Sequence, residues 1–186
     1  MKTDIILAGV GGQGVLSVAA VIAKAAVLAG FNARQSEVHG MAQRGGSVLA
    51  HLRLSDTVIH SDLIPKGSAD MIISLEPLEA LRYADFLSKN AAMISADEPF
   101  LNITNYPDIN LIKNTIEKFP NHRLVAAQSI AKKIGLVKSV NIVMVGAASS
   151  FLPIPLDCFT KTIESMFAAR EPALNLEAFE AGRKAQ

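Results

Sequence analysis

Short apolar runs of β-forming residues alternate in this chain with stretches whose apolar positions recur at helical spacing. Thr3–Ala8 is the first such run and predicts a buried strand, since residues apolar on both faces belong inside a sheet. Gln13 to Leu28 predicts a helix closed by Gly30. Val15, Leu16, Val18, Val21, Ile22, Val27 and Leu28 leave that helix without a polar face. It must therefore be covered on more than one side, by the sheet and by a further element or a second subunit. Asn32–Val38 predicts a second strand, and His39–Ser47, with neither period, predicts a structured loop. Val48 to Leu54 alternates as a half-exposed strand should. Ser55-Asp56 turns it, and Thr57–His60 is expected to return as its hairpin partner.

The pattern repeats further on. Ala69–Leu75 predicts a strand, Pro77–Leu87 a helix with proline in its first turn, and Ala91–Ser95 a short strand. A loop with Pro99 and Pro107 leads to Asp108, a fitting N-cap for a helix carrying Ile109, Ile112, Ile116 and Phe119. Arg123–Ala127 predicts a strand and Ser129–Ile134 a helix stopped by Gly135. Val140–Phe151 is apolar, and its Gly146-Ala147-Ala148-Ser149 suits close helix packing. Leu156–Phe167 predicts an amphipathic helix, and Asn175 is expected to cap a short last one. Alternating strands and helices predict one Rossmann-like α/β domain over residues 1–186. Its sheet is expected to be mostly parallel with an antiparallel hairpin excursion, helices on both faces and a helical C-terminus.

Composition narrows the function classes. With 50 % hydrophobic and 19 % charged residues, the chain shows less charge than a free-standing monomer usually carries, which points to a buried interface. A net charge of +1 with interspersed signs predicts neither nucleic-acid nor membrane binding. The longest apolar stretch, Val15–Ala29, is broken by Ser17 and Lys24 and is too short to span a bilayer. Asp4 ahead of the first apolar run and one cysteine, Cys158, fit a soluble cytoplasmic protein with no secretory leader. A single thiol also falls short of the roughly four that an iron–sulfur cluster needs.

Gly9, Gly11 and Gly14 fit G-x-G-x-x-G between strand and helix. Such a turn seats an anion at the helix N-terminus, or simply packs tightly against another chain. Glu37, 23 residues beyond Gly14, would suit the ribose of a dinucleotide, although little chain is left for a substrate domain. Arg44 beside Gly45-Gly46 offers a guanidinium fork and exposed backbone N–H groups. The loop could join the first turn in one anion site, or be tied down internally by Glu37, His39 and Arg44. His51 and His60 could face each other across the expected hairpin, but hydrogen-bonded or surface histidines need no third ligand. Cys158 has no base near it in sequence and predicts a buried structural thiol.

Gly9-Val10-Gly11-Gly12-Gln13-Gly14-Val15-Leu16, then Ser36 through Val48 (SEVHGMAQRGGSV) with His51 and Arg53, resemble the gamma-type subunit of 2-oxoacid:ferredoxin oxidoreductases. The branch most resembled is that of the small (beta) subunit acting on indolepyruvate. Pyruvate and 2-oxoglutarate relatives vary between Ser36 and Arg44. Glu76-Pro77-Leu78-Glu79-Ala80-Leu81-Arg82-Tyr83 and Asn175–Arg183 agree with the indolepyruvate branch, so the resemblance spans the chain.

It implies a subunit of a cytoplasmic enzyme that oxidatively decarboxylates arylpyruvates to aryl-acetyl-coenzyme A, carbon dioxide and reduced ferredoxin. A larger partner subunit would carry thiamine diphosphate, magnesium and the 4Fe-4S clusters. This chain would hold no cofactor or metal of its own and no catalytic residue. Coenzyme A is the ligand the two could share, with Gly9, Gly11, Gly12, Gln13, Gly14, Glu37, His39, Gln43, Arg44, Gly45, Gly46 and Ser47 as the expected site. Ferredoxin would be met through the complex, and the isolated chain is expected to pair with itself. The competing expectations are a stand-alone Rossmann-type nucleotide-binding protein, or the equivalent subunit for pyruvate, 2-oxoisovalerate or 2-oxoglutarate.

Overall fold

The computed structural model describes residues 1–39, 45–101 and 103–185, with His39 described through its backbone only. Its strands are β1 (Lys2–Val10), β2 (Asn32–His39), β3 (Ser47–Ser55), β4 (Ala69–Ser74), β5 (Leu87–Ala96) and β6 (Asn121–Val125). The helices are α1 (Val15–Leu28), α2 (Pro77–Arg82), α3 (Ile109–Ile116), α4 (Ala127–Ile134), α5 (Val140–Ser149), α6 (Leu156–Met166) and α7 (Pro172–Lys184). They form a single α/β domain around one sheet of order β2-β3-β1-β4-β5-β6. β1, β4, β5 and β6 run parallel, while β3 lies antiparallel between β1 and β2.

Strand side chains alternate between two cores, as the period of two requires. Ile5, Leu7, Leu52, Ile73 and Ile94 meet α1 and α4 to α7 on one face, and Ile6, Ile72 and Met93 meet α2 and α3 on the other. Most of the apolar girth of α1 is covered within the chain itself, by β1 to β3 below and by α5 and α6 beside it, while Val27 and Leu28 in its last turn stay exposed. The small residues of α5 serve close packing as expected. A Cβ at Gly146 would stand 2.0 Å from the Phe179 carbonyl oxygen of α7, and one at Gly182 would stand 2.0 Å from that of Val143. Among the described residues, no helix is long and apolar enough to cross a membrane.

Three expectations are corrected. Thr57–His60 forms no strand: both edges of β3 are already taken, so the antiparallel excursion is β2 and β3 themselves. The segment after Ser55 instead folds over the sheet, burying Ile59 and Ile64. The helix at Pro77 ends at Arg82 and a short 3-10 turn follows at Ala84–Phe86, so that Leu87 already opens β5. Asn175 lies one turn inside a 13-residue helix that starts at Pro172. There its Nδ2 donates back to the carbonyls of Arg170 and Glu171 at 2.9 and 3.1 Å.

His51 is buried on β3 and accepts the Ile64 N–H at Nδ1 (3.1 Å), its ring edge-on to Phe86 at 5.5 Å. Burial first, then the Arg53 charge, lowers its pKa. The unfolded chain therefore binds a proton that the folded one refuses, and stability drops as pH falls below about 6.5. His51→Gln should flatten the pH dependence of urea unfolding between about pH 5 and 7. An unaltered slope would exonerate His51.

Candidate functional site

From β1 the chain leaves through α1 on one face of the sheet, and from β4 it leaves through α2 on the other. The two connections part at the β1–β4 boundary, and open α/β sheets place ligands in that kind of crevice. A cavity of about 520 Å³ lies there, lined by Gly12, Gly14, Phe100, Gln128, Lys138 and Asn141 among others.

The glycine turn builds one wall. Gly12 and Gly14 take φ of 101° and 88°, which other residues adopt only at a cost, and Gly14 opens α1. At Gly9 a Cβ would lie 2.7 Å from Val15 Cγ2, so the turn closes only around a bare backbone. Gln13 lines the cavity as well, with both polar ends of its amide engaged by backbone groups. Its Oε1 accepts the Val10 N–H at 2.7 Å, and its Nε2 donates to the Leu75 carbonyl at 3.2 Å, lacing the turn to the end of β4.

α1 starts with no side-chain cap and no acid in its first turn, leaving the positive end of its dipole to the crevice. The exposed Lys138 stands at the same wall, without a carboxylate within 4 Å among the described residues. Asn141 accepts the Ile142 N–H at 3.0 Å, and its Nδ2 lies 3.5 Å from where a Gly14 Cβ would be. Phosphate or carboxylate suits this wall. Phe100 and Val137, both substantially exposed, give the rim an apolar half. Behind the far wall, where Gln128 lines the cavity, Glu98 accepts the N–H groups of Gln128 and Ser129 at 3.4 and 3.2 Å, capping α4. Burial, followed by the neighbouring Asp97, pushes its carboxyl pKa up.

The second glycine segment meets the first. The Gly11 N–H donates to the Gly46 carbonyl at 2.8 Å, and the Gly45 N–H to that of Gly11 at 3.4 Å. This junction lies on the β3 side of the turn, whereas the cavity opens on the β4 side. Ser47 is engaged with Glu79 and Tyr83 of the α2 region. Glu37 sits on β2, opposite Ala50 and two strand positions from β1, roughly 10 Å away at normal strand spacing. A dinucleotide fold needs that acid on the strand next to β1, and here β3 occupies the place. Gln43 and Arg44 lie outside the described residues, as does the side chain of His39.

Sequence reasoning missed Lys138, Asn141, Gln128 and Phe100. They follow Gly14 by some ninety to one hundred and thirty positions, and no spacing rule links them to it. Cys158 is buried with its thiol pKa raised, by burial first, as a structural cysteine should be. No group of three metal-ligating side chains occurs among the described residues.

The family described as pyruvate ferredoxin/flavodoxin oxidoreductase matches residues 4–185. An indolepyruvate oxidoreductase subunit IorB of Archaeoglobus fulgidus is 39 % identical, over 98 % of this chain and 94 % of its own length. A 2-oxoglutarate synthase subunit KorC of Methanothermobacter marburgensis is 29 % identical, over 99 % of this chain and 96 % of its own. Among solved structures, the 2-oxoglutarate:ferredoxin oxidoreductase of Magnetococcus marinus, holding 2-oxoglutarate, coenzyme A and succinyl-CoA, superimposes with a TM-score of 0.77 at 22 % identity. That match covers 98 % of this chain but 30 % of the other, where the same fold is one part of a longer polypeptide.

Proposed function

This chain belongs to the pyruvate ferredoxin/flavodoxin oxidoreductase family, and from that membership we propose that it is the small subunit of an indolepyruvate:ferredoxin oxidoreductase. The observation that carries the choice of substrate is the full-length 39 % identity to an indolepyruvate subunit, against 29 % to a 2-oxoglutarate one. An aryl 2-oxoacid would lose carbon dioxide, its acyl group would pass to the coenzyme A sulfur, and the electron pair would leave for ferredoxin. Thiamine diphosphate supplies the electron sink for that decarboxylation. The residues of this chain do not fit the redox centres: its one thiol, Cys158, is buried in the first turn of α6, and clusters take about four. A larger subunit is therefore read as the holder of thiamine diphosphate, magnesium and clusters, and the complex as cytoplasmic. Alone, the chain is read as an inactive homodimer.

Its own contribution is the crevice. The N-terminus of α1 and Lys138 suit the phosphates of coenzyme A, and Phe100 and Val137 suit an apolar segment of it. Gly11, Gly45 and Gly46 brace that turn from behind, with Arg44 beside them in sequence as a further phosphate ligand.

Co-expression with the larger subunit tests this reading. Ferredoxin-linked turnover should show the highest kcat/KM with indolepyruvate among aryl and aliphatic 2-oxoacids, and none from this chain alone. Lys138→Ala should raise the KM for coenzyme A about tenfold, the loss of one charge-assisted phosphate contact. A preference for 2-oxoglutarate, or activity without the partner, would refute the assignment.

A further inference from the structure

The segment Glu76–Tyr83 opens with a proline-started helix of six residues, too short to be stable on its own. Two of its carboxylates are nonetheless almost wholly buried, Glu76 at 1 % and Glu79 at 5 % exposure. Burying a carboxylate is costly unless its oxygens are matched by donors. Both are matched, and by groups from opposite sides of the rim. Glu79 Oε2 accepts the Ser47 hydroxyl at 2.5 Å and shares the Arg82 Nε–H with Oε1 at 3.0 to 3.1 Å. The Tyr83 phenol is 2.7 Å from the same Ser47 oxygen. Ser47 is the first residue of β3, directly after Gly45-Gly46. Glu76 caps α2 through Oε2, which takes the Glu79 N–H at 2.8 Å. Its Oε1 holds the Phe100 N–H at 3.3 Å and the Tyr106 hydroxyl.

We propose that Glu79 and Glu76 are positioning residues: Glu79 fixes the second glycine segment against the first, and Glu76 fixes the Phe100 side of the crevice. Neither carboxylate lines the cavity. The short helix α2 thus ties the brace behind the glycine turn to the Phe100 side of the crevice that would receive coenzyme A. The coenzyme A part rests on the proposed function; the clamp itself does not.

Amide hydrogen exchange on the full chain tests the clamp alone. Glu79→Gln should speed exchange at residues 45–48 at least tenfold and leave 98–101 near wild type, while Glu76→Gln should do the reverse. Ser47→Ala should copy Glu79→Gln, and Ser47→Thr, which keeps the hydroxyl, should restore protection. Uniform acceleration in both segments, or none in either, would overturn the proposal. In the assembled complex both Gln variants should raise the KM for coenzyme A by more than they lower kcat. An unchanged KM beside a working wild-type complex would refute the proposal there. A wild-type complex that ignores coenzyme A would instead refute the functional reading and leave the exchange result standing.

Discussion

Replacing Gly182 by alanine should lower the melting temperature of the chain by roughly 4–8 °C. A methyl group there would lie 2.0 Å from the Val143 carbonyl oxygen and 2.8 Å from its carbon, both backbone atoms of α5 that no rotamer change can move aside. Gly146 faces the same difficulty from the other helix, with the Phe179 carbonyl oxygen at 2.0 Å. Alanine is the better helix former by about 1 kcal/mol, so propensity alone would make each substitution stabilising. Forcing two packed helices apart in a filled core costs about 3 kcal/mol, and that term wins. Both sites should therefore behave alike in thermal unfolding followed by circular dichroism. A variant as stable as wild type would show that α5 and α7 slide without penalty.

The second large effect is expected at the opposite end of the sheet from the crevice. Asp4 is fully buried and opposes Arg53 across the β1–β3 ladder, with Nε to Oδ1 at 2.8 Å and Nη2 to Oδ2 at 3.1 Å. The same guanidinium donates to the carbonyls of Ser61 and Leu63, and so pins the segment that crosses the sheet after β3. Arg53→Met removes the cation and leaves a buried carboxylate whose remaining cation among the described residues is Lys2, 2.8 Å away on a largely exposed stem. Breaking one side of such a pair costs about 3 kcal/mol or more, mostly through the charge left behind. Urea unfolding should report that loss, with proteolytic cutting between residues 56 and 66 appearing at the same time. The double variant Asp4→Leu, Arg53→Met should be the more stable of the two. If the double variant is as unstable as the single one, the damage comes from the lost carbonyl contacts rather than from the stranded charge.

Local signals of the fold were legible where one residue decides the geometry. Pro77 in the first turn of α2, Asp108 accepting the Asn110 N–H at 2.8 Å, and Gly30 and Gly135 at positive φ stand where chain-local physics puts them. Pairing was harder to read. The alternation of Val48–Leu54 marks a strand but does not name its neighbours, and its β1 partners in fact lie between 37 (Val10 to Ser47) and 53 (Lys2 to Ser55) residues back along the chain. Asn175 is an N-cap type of residue, yet Pro172 ahead of it set the start of the helix and left its amide to reach backwards. At the site the same division holds. The glycine turn could be read because positive φ demands glycine. Lys138 and Asn141 could not, because only the packing of α5 beside α1 carries them to the crevice.

The placing of β3 has a bearing on synthesis. Strand β1, with Ile5, Ile6, Leu7 and Val10, receives one neighbour from residues 47–55 and the other from residues 69–74, both made after it. Until both emerge, Ile5 to Val10 trails with two open hydrogen-bonding edges, a sticky template for other nascent chains. A chaperone that shields β1 over that interval would guard the whole sheet.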